Sequence, residues 1–263
     1  MKNDYLIVEE NLRCAMRFFG EATGSGEVRQ LNGAVAMFSG LDYGVFNIAL
    51  FTRRVIGDDR ALEETLAEIA HYFKERTLRW SVWLCEDLLE PKTRRRERQV
   101  FFDFGLRPIS HPPGMLAPCL PPPADRLPAI ECIPVNDAST RATFGEITSV
   151  TFDIPTTVAK AVYTREEAWQ GNYQGFIGLV AGRPVSIVAI VPAAEALGIY
   201  SLGTLPAFRR QGNGEALLRA AVAETRRRTG LERLVLQSTE AGYSMYKRLG
   251  FRDAAKFTVY LTR

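Results

Sequence analysis

At 263 residues, with 46% hydrophobic and 24% charged side chains, the chain is long enough for one large or two modest domains with real cores. A net charge of +3 is far short of a nucleic-acid binder's basic excess, and a phosphate-bearing small molecule is partner enough for it. Cys14, Cys85, Cys119 and Cys132 lack Cys-x-x-Cys spacing and only His71 and His111 could join them, which argues against a metal site, a disulfide framework and a Ser-His-Asp triad. The first residues hold no apolar signal core and no apolar run reaches membrane-spanning length, so the cytoplasm is the expected compartment, with no membrane partner.

Leu12, Met16 and Phe19 place a helical stripe on residues 9–23. Residues 34–38 and 45–51 read as strands joined by a Gly-containing turn. Asp58 or Asp59 can cap a helix to about residue 76, with Leu62, Leu66, Ile69 and Phe73 inward, and residues 80–85 form another strand. The run Arg94-Arg95-Arg96-Glu97-Arg98 carries a carboxylate and no interleaved aromatic, so it reads as a solvated loop, not a nucleic-acid grip. Residues 108–128 are dense in proline and read as a linker, with Met115, Leu116 and Ala117 as a candidate edge strand.

The second half opens with a strand near residues 130–135, a helix capped by Asn136 or Asp137, and a helical stretch over 157–169. Residues 176–181 and 185–191 form a hairpin around Gly182-Arg183-Pro184. Then an apolar strand, 197–205, runs into Arg209-Arg210-Gln211-Gly212-Asn213-Gly214, followed by Ala216, Leu217, Ala220, Ala221 and Ala223 on a helical stripe. Glycine at 212 and 214 lets the backbone approach a ligand closely, and the unpaired N–H groups of the next helical turn suit an anion such as a pyrophosphate. Gly230 stops that helix, 234–237 form a strand, and a short helix ends in Tyr246-Lys247-Arg248-Leu249-Gly250-Phe251.

The Arg-x-x-Gly-x-Gly loop, the strand after its helix and Tyr-x-x-x-Gly-Phe resemble the GCN5-related N-acetyltransferases over residues 130–263. The resemblance implies an acyl-CoA N-acyltransferase fold, a central mixed sheet flanked by helices, and acetyl-coenzyme A as co-substrate without a metal. It places the pyrophosphate at Arg209, Arg210, Gln211, Gly212, Asn213, Gly214 and Glu215, and the pantetheine arm along Leu202, Gly203 and Thr204 of a splayed strand. It makes Tyr246 the acid that protonates the departing thiolate. Ser238 or Thr239 stands where the family often has an asparagine contacting the cofactor, so that contact would have to come from a hydroxyl. The acceptor would be a small-molecule or peptide amine. The base is not readable: Glu195, Asp153, Glu166 and Glu167 border the expected cleft, and a water chain serves many relatives. An acyl-coenzyme A sensor and a basic nucleic-acid module are the rival readings, and a homodimer is left open.

The first half repeats this order of elements, with Arg54 to Asp59 as its loop and Gly105-Leu106 against Gly250-Phe251. Asp59 stands in place of the second glycine with Asp58 beside it, and Phe101 or Phe102 in place of Tyr246, so this copy is expected to have lost its ligand. Two related halves in tandem follow: residues 1–125, including the linker, and a catalytic 126–263. The tail after Phe251 holds one clear strand, 256–261, where the family has two, and a strand lent from around Met115 would repair the sheet.

Overall fold

The computed structural model describes residues 3–57 and 59–263; Asp58, one of the two loop carboxylates, lies outside the described residues. In chain order the first half holds α1 (Asp4–Glu21), β1 (Glu27–Leu31), β2 (Ala34–Phe38), β3 (Ile48–Phe51), α2 (Asp59–Lys74), β4 (Ser81–Cys85), α3 (Pro91–Arg94), α4 (Glu97–Asp103), β5 (Leu106–Ser110) and β6 (Pro113–Ala117). The second holds β7 (Glu131–Pro134), α5 (Ala138–Phe152), α6 (Thr156–Tyr163), β8 (Gln174–Val180), β9 (Arg183–Ala193), β10 (Ala196–Thr204), α7 (Asn213–Thr229), β11 (Leu234–Gln237), α8 (Glu240–Arg248) and β12 (Arg252–Thr262). Local chemistry sets the ends. Asp137 and Thr140 form a reciprocal capping box on α5, and Gly230, at φ 71°, closes α7 with its N–H on the Arg226 carbonyl. No helix among the described residues is long and apolar enough to cross a membrane.

The strands form one mixed sheet in the order β1-β2-β3-β4-β12-β6-β11-β10-β9-β8-β7, with β5 beside β12. Its centre is a reciprocal exchange. β6, from the first half, lies between β11 and the opening residues of β12: Met115 faces Leu236 on one side and Asp253 on the other. The closing residues of β12, Phe257 to Leu261, lie in turn beside β4, with β5 pairing Val259 to Thr262 on the other edge. The lent strand around Met115 is therefore present, but as an inner strand instead of an edge strand. Met115 and Ala117 are fully buried, and Pro113 is tolerated because it begins the strand.

One strand was not expected, and one expectation changes. Residues 27–31 form a strand whose side chains are half-buried or exposed, so it lacks the apolar alternation that reveals a strand in sequence. The arginine run is only in part a loop: Arg94 ends α3, Arg95 and Arg96 form the turn between helices, and Glu97 and Arg98 begin α4. Arg94 pairs with Glu86 at 2.6 Å, Arg96 pairs with Asp59 at 2.6 Å, and buried Glu97 accepts the Tyr260 hydroxyl at 2.9 Å.

Helix α1 ties the halves together by packing on β2, β6, β9, β10 and β12. Its Asn11 is fully buried against the second half's sheet: the amide donates to the carbonyls of Val191 (3.1 Å) and Ala193 (2.9 Å) and accepts the Tyr200 hydroxyl (2.8 Å). A Cβ at Gly198 would sit 1.8 Å from the Asn11 Oδ1, so the glycine makes room for this polar bolt.

Candidate active site

β10 and β11 run parallel for two residue pairs only, Leu197 with Leu234 and Gly198 with Val235. Beyond them β10 continues to Thr204 and β11 ends at Gln237, so the strands part. On its other side β10 bulges against β9 between Tyr200 and Gly203, and Ser201 adopts φ 48°, a strained conformation for a residue with a Cβ. The bulge and the parting leave backbone groups of residues 199–204 without a strand partner on the β11 side, available to an extended amide-bearing chain. Gly203 keeps the opening clear: a Cβ there would meet the Thr151 hydroxyl at 2.6 Å.

At the end of β10 the chain turns through Arg209 to Gly214. The Arg209 Nε donates to the Thr204 carbonyl at 2.9 Å, and the Gln211 and Asn213 amides donate to the carbonyls of Ala207 and Phe208, both at 3.0 Å. Arg210 takes φ 59° and Gly212 φ 81°, and a Cβ at Gly212 would lie 2.9 Å from Pro128. The first bond of α7 joins the Ala216 N–H to the Gly212 carbonyl, so the N–H groups of residues 212–215 point out of the helix with no helical acceptor. Gly214 packs against Thr204, whose Oγ1 lies 2.9 Å from where a Cβ would be. A phosphate-binding turn with room for close approach fits these residues. Among the described residues no cluster of three His, Cys, Asp or Glu could hold a metal.

A cavity of about 690 Å³ fills the space between the parted strands. Leu202, Gly203, Thr204, Arg209, Gly214 and Tyr246 line it; Arg210, Gln211, Gly212, Asn213, Glu215 and Ser238 do not. Ser238 is buried with its hydroxyl committed to the Thr239 carbonyl at 2.8 Å, and Thr239 lines the cavity instead while capping α8. Glu215 is held by Arg219 at 2.9 Å. Tyr246 is 8% exposed, and its hydroxyl has no hydrogen-bond partner among the described residues; burial pushes the phenol above its ordinary range. Asp153, Glu166, Glu167 and Glu195 are all absent from the lining, and Glu166 and Glu167 pair with Arg141 and Arg165.

The rest of the wall went unforeseen. Met16, Phe19, Phe46 and Trp83 reach in from the first half, facing Tyr163, Tyr173, Tyr200 and Ser201 of the second. An aromatic seam fastens this wall: Phe18 stacks on Tyr173 at 4.2 Å, Phe19 on Phe46 at 4.5 Å, and the Tyr173 hydroxyl meets Ser201 Oγ at 2.7 Å. Burial raises the Tyr163 phenol to about 12. Two signals were present in the sequence: adjacent Phe18 and Phe19 on an amphipathic helix give it two apolar faces, and Val82-Trp83-Leu84 is apolar on both sides of a strand.

Residues 168–253, from the turn before β8 to the start of β12, match the family model described as an acetyltransferase (GNAT) domain. The chain carries a GNAT acetyltransferase domain. A GCN5-related N-acetyltransferase from Kribbella flavida superposes with a TM-score of 0.72 at 19% identity, covering 100% of this chain and 96% of that one. A GCN5-related N-acetyltransferase from Sphaerobacter thermophilus gives 0.57 at 19% identity, over 88% of this chain and 76% of that one. A tandem GNAT protein from the clavulanic acid biosynthesis pathway gives 0.52 at 11% identity, over 82% and 74%. At such identities these likenesses bear on the fold alone, which is the GNAT fold. No curated protein matches the chain in sequence.

The corresponding place outside the GNAT domain, between β3 and β4, is shut. Those strands pair at Ile48, Ala49 and Leu50, and an isolated bridge from Val55 to Leu89 closes the far end, the Val55 N–H donating to the Leu88 carbonyl at 3.0 Å. Asp59 occupies the first turn of α2 and is paired with Arg96. Phe101, four residues before Gly105 as Tyr246 is four before Gly250, is buried and stacked on Tyr260 at 4.0 Å.

Proposed function

We propose that the chain transfers an acetyl group from acetyl-coenzyme A to a primary amine by direct attack on the thioester, with residues 126–263 catalytic and residues 1–125 a related half without a ligand of its own. The observation that carries this is the parting of β10 from β11 over a cavity that Gly214 and Arg209 border at one end and Tyr246 lines. The pyrophosphate would lie on the N–H groups of residues 212–215, with Arg209 and Arg210 adding charge. Backbone groups of residues 202–204 would hold the pantetheine amides and orient the carbonyl.

The Tyr246 hydroxyl, free of other partners, would donate to the sulfur as the C–S bond breaks. Its raised pKa keeps it protonated at rest and makes it a reluctant acid toward an ordinary thiolate near ~8.5. The burial that raises the phenol would raise a thiolate beside it too, so the proton moves as charge develops and not before. With no carboxylate on the lining, the amine proton would leave through water.

Calorimetry with acetyl-coenzyme A tests the reading. Gly214→Asp sets a carboxylate against phosphate and the Thr204 side chain, and Gly212→Val blocks the turn; both should abolish binding. Unchanged affinity in both folded variants would refute the site. Binding without amine-dependent thiol release would favour the sensor reading.

A further inference from the structure

Resting on the acetyl-transfer reading, we propose that the inner, aromatic end of the cavity is the acceptor site. Its substrate would be a small primary amine on an aromatic or branched apolar body that bears a neutral hydrogen-bonding group and no carboxylate, phosphate or second ammonium.

Charge argues first. Among the described residues that line the cavity, Arg209 is the only charged one, and its guanidinium is tied to Thr204 at the phosphate end. An acidic acceptor or a polyamine would bury a charge with no counterion, which a low-dielectric site penalises heavily. The wall opposite the parted strands is Met16, Phe19, Phe46, Trp83, Tyr163 and Tyr173, a surface that rewards ring or branched-chain contact.

Two unmet polar atoms sharpen the class. Trp83 Nε1 and Gln237 Oε1 are both buried with no hydrogen-bond partner, although both residues line the cavity. Both atoms lie beneath the cavity lining, and each would become a recognition point for a ligand once its side chain turns toward the cavity. They sit on β4 and β11, with β12 and β6 between them, so their backbones are separated by three strand spacings, roughly 14 Å. Recognition is therefore spread along an elongated body and not gathered at one point.

Size follows from the walls. The cavity is shared with the acyl arm, and α1 packs across β6, β9, β10 and β12 on the acceptor side. With the acyl arm in place, the remaining space suits a one- or two-ring molecule. In the reaction the amine nitrogen bonds to the carbonyl carbon and the C–S bond breaks. The coenzyme A sulfur keeps the electron pair and gains a proton, the amine proton passes to water, and an amide and free coenzyme A result.

Full-length protein supplied with acetyl-coenzyme A and an amine panel, followed by thiol release, tests this. Tyramine and phenethylamine should exceed spermidine, glutamate and a free-N-terminal hexapeptide by at least tenfold in kcat/KM, with tyramine above phenethylamine. Trp83→Phe keeps a ring and loses the N–H, so the tyramine preference should shrink while phenethylamine is little affected. Trp83→Ala should raise KM for both at least tenfold, with the calorimetric Kd for acetyl-coenzyme A within twofold of wild type. Faster turnover with spermidine, glutamate or the peptide, or an amine preference untouched by both substitutions, would overturn the acceptor assignment and leave acetyl transfer standing. Failure to bind acetyl-coenzyme A at all would overturn both.

Discussion

Glu9 offers a test of how the halves are joined. It lies on α1, is 4% exposed, and its Oε1 is buried without a partner. Two effects compete. Burial removes the carboxylate from water and raises its pKa; the Arg13 guanidinium at 3.6 Å lowers it; Glu10 raises it again. Burial wins, and the carboxyl is pushed up to about 7 from an ordinary 4.5. Between those values the folded protein keeps a proton that the unfolded chain has released, so stability falls as pH rises through that window and levels off above it. Two and a half pH units at about 1.4 kcal/mol each bound the loss at roughly 3 kcal/mol, a large share of the ~5–15 kcal/mol of a folded domain. Glu9→Gln keeps the shape and cannot ionise. Urea unfolding of both proteins from pH 5 to pH 8 should show the variant gaining on the wild type with rising pH, approaching that bound by pH 8. Other titrating groups are common to both and cancel in the difference. Curves that stay parallel would mean that Glu9 is ionised in the fold, and that α1 packs less tightly than described.

Tyr246→Phe should lower kcat by something in the ~10²–10⁴-fold range of acid–base catalysis while acetyl-coenzyme A binds as before; an unchanged kcat would assign the proton to water. Calorimetric titration should give one acetyl-coenzyme A per chain, because the Val55–Leu89 bridge and the Asp59–Arg96 pair occupy the first half's counterpart of the site; a value near two would refute its closure. A fragment of residues 126–263 should be insoluble or inactive, since it lacks β6 and leaves β11 and β12 with bare facing edges; a soluble, active fragment would show the exchange to be dispensable.

How far these features were legible depends on how local their cause is. The loop at Arg209 to Gly214, the Asp137 cap and the Gly230 stop are set by residues within one or two turns, and each was readable in place. Tyr246 was readable because Gly250-Phe251 fixes its distance from the following strand. What failed was long-range. Nothing near Met115 says whether its strand lies at an edge or inside, because its neighbours Leu236 and Asp253 are far away in sequence. The arginine run is solvated as read, with Arg95, Arg96 and Arg98 exposed, but the ion pairs of Arg94 with Glu86 and Arg96 with Asp59 were not legible because other elements supply the carboxylates. Phe19, Phe46 and Trp83 read as ordinary core, and only the passage of α1 over the second half's sheet turns them into a wall of the other half's cavity. Ser238 and Thr239 could not be separated, since one residue of register decides which faces the opening.

The same geometry bears on why the first half, on the reading proposed above, would persist without a ligand. Val55, Leu89 and Phe101 do not line the second half's cavity, whereas Phe46 and Trp83, beside β3 and on β4, do. Substitutions in β6, in α1 at Asn11, or at Trp83 act differently: they disturb an inner strand, break a buried amide's bonds to β9 and β10, or alter the cavity wall. The first half thus meets the second along one face, and the reciprocal exchange of β6 and β12 joins the two through the sheet. Movement of α1 that widened the acceptor end would have to break the Asn11 bonds to β9 and β10 and disturb the packing on β12. Since β12 pairs with strands of both halves, the proposed acceptor end and the connection between the halves share contacts, and a substitution at Asn11 should change folding stability and amine preference together.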